Sequence, residues 1–253
     1  MLTAASGFWP SGEQFESPME YFYTPPDRIT STHCSIEEEE FVHLTHVMRR
    51  KAGDTVRVVD GVGFAYDAII EEIVRRTARC RITARYRRLH EPSRAVVLGA
   101  AILKNASNFD FLVEKATELG VVAIVPLRTL RTIPHHGRTE RWQKIALAAT
   151  KQCGRCVIPE VRPLTTLDDF LAQAPDHAIK IIPHEQVVGK RLSEAVPAGA
   201  EQVAICIGPE GGFSEEEVAR AASAGFIPVS LGPRRYRAET AAVLAAGLVL
   251  LEA

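Results

Sequence analysis

Three stretches of this chain combine residue types that could do chemistry. In IGPEGGFSEEE, an apolar run ends in Ile207, Gly208, Pro209, Glu210, Gly211 and Gly212. Glycines carry no Cβ, so backbone there can approach a ligand closely. The spacing matches neither GxGxxG nor GxxxxGK[ST], so dinucleotide and P-loop readings do not fit. Ser214 with Glu217 has capping-box spacing, and Glu215 to Glu217 already occupy the positive end of the following helix dipole. That disfavours a phosphate and favours a ligand with a cationic centre. A tight glycine turn before a well-capped helix accounts for the same residues without any ligand.

The second stretch, LGPRRYRAET, places Arg234, Arg235 and Arg237 just before an apolar run, AAVLAAGLVLL. Such a cluster suits phosphate or carbonyl recognition; the plain alternative is a solvated basic loop. Glu239 reads first as a helix-start carboxylate and second as a base. The third stretch is ARCRITARY, in which strand alternation predicts Arg79, Arg81, Thr83 and Arg85 on one face and Cys80, Ile82, Ala84 and Tyr86 on the other. Arg75, Arg76, Arg87 and Arg88 extend this surface, Arg49, Arg50 and Lys51 add to it, and only Glu91 offsets it within residues 75 to 94. The pattern suits RNA, against a solvated face.

Other constellations are weaker. Cys153 and Cys156 have redox spacing, but they follow a helix instead of opening one, which points to a structural role. His43 with His46, and His135 with His136, lack a second set of ligands, so no metal site is expected. No GxSxG or comparable nucleophile motif occurs.

These residues need elements to hold them. At 46% apolar and 24% charged, 253 residues can bury a sizeable core in one large domain or two modest ones. The apolar run Ala241 to Leu251 is too short to cross a bilayer, so no membrane span is expected. Residues 1–18 do not read as a secretory signal and are expected to form a flexible extension; five scattered cysteines without an export signal point to the cytoplasm and free thiols.

Residues 19–92 predict a small β-barrel-like module with one helix in SIEEEEFVHLTHVMRRKAG, opened by a Ser35/Glu38 capping box and closed at Gly53. Its strands are TVRVV, FAYDAII and ARCRITARY, the first two flanking an Asp60-Gly61 turn. From residue 93 to 253 strands and helices alternate. Strands are AVVLGAAIL, VVAIVPL, HAIKIIP, QVAICIG and FIPVSLG, with helices in FDFLVEKATEL, ERWQKIALAATKQC, LDDFLAQA, SEEEVARAASA and the C-terminal run. This predicts an α/β domain with a mostly parallel sheet, whose ligands collect beyond the carboxyl ends of its strands. The loops so selected are Pro183-His184-Glu185-Gln186, Gly208 to Gly212, and Leu231 to Thr240.

LKNASNFDFLVEKATELGV, ERWQKIALAATKQCGR, IGPEGGFSEEE and LGPRRYRAETA, in this order, resemble the RsmE-type 16S rRNA (uracil-N3) methyltransferases of the SPOUT superfamily, as does HLTHVMRRKAGDTVRVVDGVG. The likeness covers nearly everything from Tyr21 to Leu251. It implies a PUA-like β-barrel that grips ribosomal RNA, a SPOUT-type α/β domain tied in a trefoil knot, a homodimer, and 16S rRNA or the small ribosomal subunit as partner. The implied cofactor is S-adenosyl-L-methionine, held by Pro183, His184, Glu185, Ile207 to Gly212, Leu231, Gly232, Pro233, Tyr236, Arg237 and Thr240. Arg237 is the preferred catalytic residue, with Glu239 second. RNA contacts are assigned to Arg49, Arg50, Arg79, Arg81, Arg85, Lys104, Arg155, Arg234 and Arg235. Rival readings are a ribose 2′-O methyltransferase of the same superfamily and a non-catalytic ribosome-assembly factor. Many members read LRTET where this chain has YRAET, so Ala238 replaces a threonine.

Overall fold

The computed structural model describes residues 20–133, 136–187 and 189–251. The expected extension and His135 lie outside them.

The first sheet contains β1 (Tyr21–Tyr23), β2 (His33–Glu37), β3 (Thr55–Val59), β4 (Phe64–Val74) and β5 (Thr77–Arg87), in the order β1-β3-β4-β5-β2. Its inner face buries Phe22, Cys34, Ile36, Val56, Val58, Tyr66, Ala68, Ile70, Ala78 and Cys80, with Phe41 and Leu44 from the helix. Asp60 makes the β3–β4 turn: its Oδ1 accepts from the backbone N–H of Val62, Gly63 and Phe64.

The helix of this module differs from expectation. Ser35 lies inside β2, opposite Arg79, and α1 (Glu38–Val42) starts only at Glu38. Five ladder pairings with β5 outweigh one cap hydrogen bond, so the strand captures the predicted helix start. The helix runs on as a π-type turn, His43–Val47, and the chain leaves through Arg49 at φ +53°, before Gly53.

The second sheet is built from β6 (Ala95–Ala101), β7 (Ala123–Arg128), β8 (Glu160–Val161), β9 (Thr165–Thr166), β10 (Ile179–Pro183), β11 (Gln202–Ile207) and β12 (Ile227–Val229). Their order is β12-β10-β11-β6-β7-β8, with β9 also on β7, and every ladder is parallel. Helices cover both faces, so the central strands β6, β7, β10 and β11 are mostly apolar. On one face α2 (Ala106–Leu119), α3 (Thr139–Cys153), α5 (Leu192–Ala195) and α7 (Ala238–Leu251) bury Val203, Ile205 and Ile207 of β11; on the other α4 (Leu167–Gln173) and α6 (Glu215–Ser223) bury Ala204 and Cys206. α7 starts one residue before its expected position, and its first backbone bond runs from Ala241 N–H to the Arg237 carbonyl.

Two buried arginines hold the parts together. Arg94 donates to the carbonyls of Pro197, Ala198, Ala200 and Val249, joining the start of β6 to the end of α7. Arg155 pairs with Glu91 at 2.8 Å, their side chains 3% and 1% exposed, and donates to the carbonyls of Thr117 and Val121. Glu91 in turn accepts from the backbone of Cys156 and Val157. Arg155 is therefore not free to meet RNA, against the sequence expectation: it is buried, and each of its three guanidinium nitrogens donates to a protein acceptor. The same segment bridges to the first sheet, where Gly63 donates to the Cys156 carbonyl and Ile158 to that of Gly61.

Removing one partner of such a pair strands a buried charge. Glu91→Ala should lower unfolding free energy by about 3–5 kcal/mol in urea titration; a loss below about 1 kcal/mol would show that the pair does not brace the chain.

Candidate functional site

Neighbouring parallel strands end on the same side of a sheet, so β12, β10 and β11 deliver their outgoing loops side by side. Between those loops lies a cavity of about 690 Å³, inside the range of about 300–1,000 Å³ usual for small-molecule sites. Pro183 to Glu185, Ile207 to Phe213, and Ser230 to Gly232 with Arg234 to Glu239 and Ala241 line it. Of the residues expected to hold the cofactor, Pro233 and Thr240 are outside this lining; both are exposed, Thr240 within the first turn of α7. Phe213, Ser230 and Ala241 join it without having been selected from the sequence. So does Asn108, near the start of α2.

The glycine loop is held in one shape. A Cβ on Gly208 would sit 3.1 Å from the Phe213 ring, and Gly212 adopts φ +68°, which L side chains rarely take. Glu210 Oε1 accepts from the backbone N–H of Lys104, at the exit of β6. Arg131 donates to the Gly211 carbonyl. Glu217, 2% exposed, accepts from Ser214 N–H at 2.9 Å and, through its other oxygen, from Leu130 N–H at 2.7 Å. The capping box read from sequence is present, and it doubles as the tie between two strand-end loops.

The arginine loop divides its charges. Arg235 pairs with Glu185 at 2.9 Å, across the mouth between two loops. Arg234 lies against Tyr236 and bonds its hydroxyl. Arg237 is exposed, lines the cavity, and forms no ion pair among the described residues. Glu239 does not cap α7: it lies within the first turn, 7% exposed, and its Oε2 finds no hydrogen-bond partner. An unpartnered buried carboxylate is costly. The chain thus keeps an acceptor in the wall of this cavity.

The basic face of the first sheet differs from the alternation read off the sequence. The β4–β5 ladder shifts register at Thr83, with Asp67 opposite Ala84 and Ala68 opposite Ile82. A bulge reverses the face of everything beyond it. Arg85 therefore stands opposite Tyr66, its guanidinium 3.8 Å from the Phe64 ring centre, and no longer shares a face with Arg79 and Arg81. Cross-strand carboxylates, invisible in the segment's own composition, reach the other two: Arg81 meets Glu71 at 3.1 Å and Arg79 meets Glu72 at 3.9 Å. Arg49, Arg75, Arg76 and Arg87 are exposed and without an ion pair among the described residues. The side chains of Arg50 and Lys104 have no partner among the described residues either.

Cys156 is buried, and burial aided by the nearby Glu91 pushes its thiol up to about 11; burial also raises Cys153. Neither is a thiolate nucleophile at neutral pH. Among the described residues no group of three or more His, Cys, Asp or Glu could hold a metal, and no helix is long and apolar enough to cross a membrane.

A family model described as an RNA methyltransferase domain matches residues 90–250, and one described as an RNA methyltransferase PUA domain matches residues 36–83. The ribosomal RNA small subunit methyltransferase E of Synechocystis is 31% identical over 228 residues, 87% of this chain and 73% of that protein. That of Buchnera aphidicola is 29% identical over 218 residues, 83% and 84% of the two. The crystal structure of the Neisseria gonorrhoeae enzyme of that name bound to S-adenosyl methionine superposes with a TM-score of 0.83 at 29% identity, covering 91% of this chain and 96% of that one. A Legionella pneumophila protein in complex with bound SAM gives 0.80 at 31% identity, covering 92% and 97%.

Glu217→Ala leaves two backbone N–H groups without their acceptor. It should destabilise the fold by about 1–3 kcal/mol in denaturant titration; wild-type stability would remove Glu217 from its place as the tie between the loops.

Proposed function

Because the chain belongs to the RNA methyltransferase family, and within it to the ribosomal RNA small subunit methyltransferase E group, we propose that it transfers a methyl group from S-adenosyl-L-methionine to N3 of a uridine in 16S ribosomal RNA. The observation that carries this reading is the cavity at the ends of β10, β11 and β12. Its walls include Gly208, Gly211, Gly212 and Gly232, and they hold the buried Glu239, whose Oε2 has no partner. That set suits a ligand with cationic centres and many polar atoms, and does not suit a triphosphate. S-adenosylmethionine, when bound, supplies a methyl group on an electrophilic sulfonium, so proximity and alignment are what the protein must add.

The division of labour follows from the placement of charges. The loops at Pro183–Glu185, Ile207–Gly212 and Leu231–Tyr236 hold the cofactor. Arg237 donates to a uracil carbonyl beside N3, where negative charge grows as the proton leaves. Glu239, with its free oxygen, accepts that proton. N3 lies on the Watson-Crick edge, so the uridine must be unpaired on arrival. Arg49, Arg50, Arg75, Arg76 and Arg87, with Arg234 and Lys104 nearer the cavity, supply the contacts to RNA phosphates.

The same membership supports a trefoil knot in residues 93–253, a closed PUA-like barrel in residues 19–92, a homodimer and a cytoplasmic place of work.

The deciding experiment incubates the protein with small-subunit particles and labelled cofactor and identifies the nucleoside formed. 3-Methyluridine is expected. A ribose-methylated nucleoside would favour the 2′-O reading, and failure to bind S-adenosylmethionine in calorimetry would favour a non-catalytic factor.

Arg237→Ala and Glu239→Gln should each lower the transfer rate at saturating cofactor, by about 10²-fold for the arginine. Unchanged transfer in either variant removes that residue from the mechanism. Arg75→Glu with Arg76→Glu should weaken RNA binding and flatten its salt dependence, with cofactor affinity unaltered; a fall in cofactor affinity alone would overturn that assignment.

A further inference from the structure

Among the described residues, Asn108 is the one member of the cavity wall that comes from outside β10, β11, the loops that follow β10, β11 and β12, and the first turn of α7. It arrives because β6 is the next strand in the sheet beside β11, so the turn leaving β6 lies next to the glycine loop. Lys104 N–H on Glu210 fastens that contact.

The neighbours of Asn108 in this turn are held by hydrogen bonds and packing within the fold. Asn105 caps α2, its Oδ1 accepting from the backbone and the hydroxyl of Ser107. Phe109 is buried against Trp142 with ring centres 4.4 Å apart, and Asp110 accepts from Trp142 Nε1 and Arg141. Each neighbour is committed to the fold. The Asn108 carboxamide, half-buried, forms no hydrogen bond among the described residues.

We propose that Asn108 is a substrate-binding residue that donates its amide N–H to a uracil carbonyl oxygen flanking N3. This rests on the uracil-N3 reading above. The three loops are taken up by the cofactor, so recognition of the base falls to the remaining wall and to Arg237. Uracil presents acceptor, donor, acceptor along O2, N3–H and O4. Once N3 faces the methyl group, the two carbonyls point to either side, and each needs a donor. Arg237 meets one and Asn108 the other. As the N3 proton leaves and negative charge spreads to O2 and O4, both hydrogen bonds strengthen, so the amide acts on the rate more than on the affinity.

The test compares wild type, Asn108→Ala and the near-isosteric Asn108→Asp in single-turnover methylation of the small-subunit substrate, with S-adenosylmethionine affinity measured by calorimetry. Loss of one donor of this kind costs on the order of 10²–10³-fold in rate. Asn108→Asp, which puts an acceptor against an acceptor, should be slower than Asn108→Ala, with cofactor affinity and circular dichroism unchanged in both. Replacing the target by 4-thiouridine, whose sulfur is a poor acceptor, should slow wild type more than Asn108→Ala if the bond is to O4; equal slowing assigns the bond to O2. Asn108→Asp as fast as wild type overturns the proposal alone, as does a tenfold loss of cofactor affinity in Asn108→Ala, which would make the residue part of the cofactor site. A wild-type chain that leaves N3 unmethylated overturns the uracil-N3 reading and this inference with it.

Discussion

Parallel pairing of β10 with both β11 and β12 is the constraint on which the rest of the site depends. A parallel ladder runs its strands in one direction, so their carboxyl ends and outgoing loops must emerge together. Three segments separated by tens of residues thereby become the walls of one cavity, and β6, next in line, adds a fourth. Both faces of these strands must be covered for the ladder to be buried, and two of the covering helices, α2 and α7, begin at the cavity. α7 is the clearest case: its first turn carries Glu239 in the site while its body fills the core with Ala242, Ala245, Ala246 and Val249.

Buried charge shows where this fold is finished and where it waits. Arg94, Arg155 with Glu91, and Glu217 are each met by backbone or by an opposite charge, as burial demands. They lie at seams: between the start of β6 and the end of α7, between the two sheets, and between the two loops beside the cavity. Glu239 Oε2 has no such partner. With the Asn108 carboxamide and Arg237, which also have no side-chain partner among the described residues, it leaves this wall with hydrogen-bonding capacity that the fold itself does not use.

Much of the site was legible in the residues themselves. The glycines of GPEGG, the capping box behind them and the arginines of PRRYRAET are local signals, and a strand-end rule was enough to collect them. Asn108 had no such signal, because an asparagine near a helix start usually caps, and here its neighbour Asn105 does. The role first given to Arg155 failed for a related reason: a basic residue in a loop looks solvated until Glu91, from another segment, is seen beside it. On the first sheet one bulge at Thr83 moved Arg85 to the opposite face, and strand β4 supplied Glu71 and Glu72 to arginines that looked unopposed.

The alternation of strands and helices, the parallel sheet, and the loops whose residues line the cavity could be read from the chain alone. These follow from hydrophobic period, capping and glycine placement, which act over a few residues and can be read along the chain. The partners of each charge, the register of β4 against β5, the strand that took Ser35 from its expected helix, and the arrival of Asn108 in the cavity were decided only by tertiary structure. Each depends on which distant segment lies alongside, and the free energy that chooses among such neighbours comes from burial and hydrogen bonding across the whole domain.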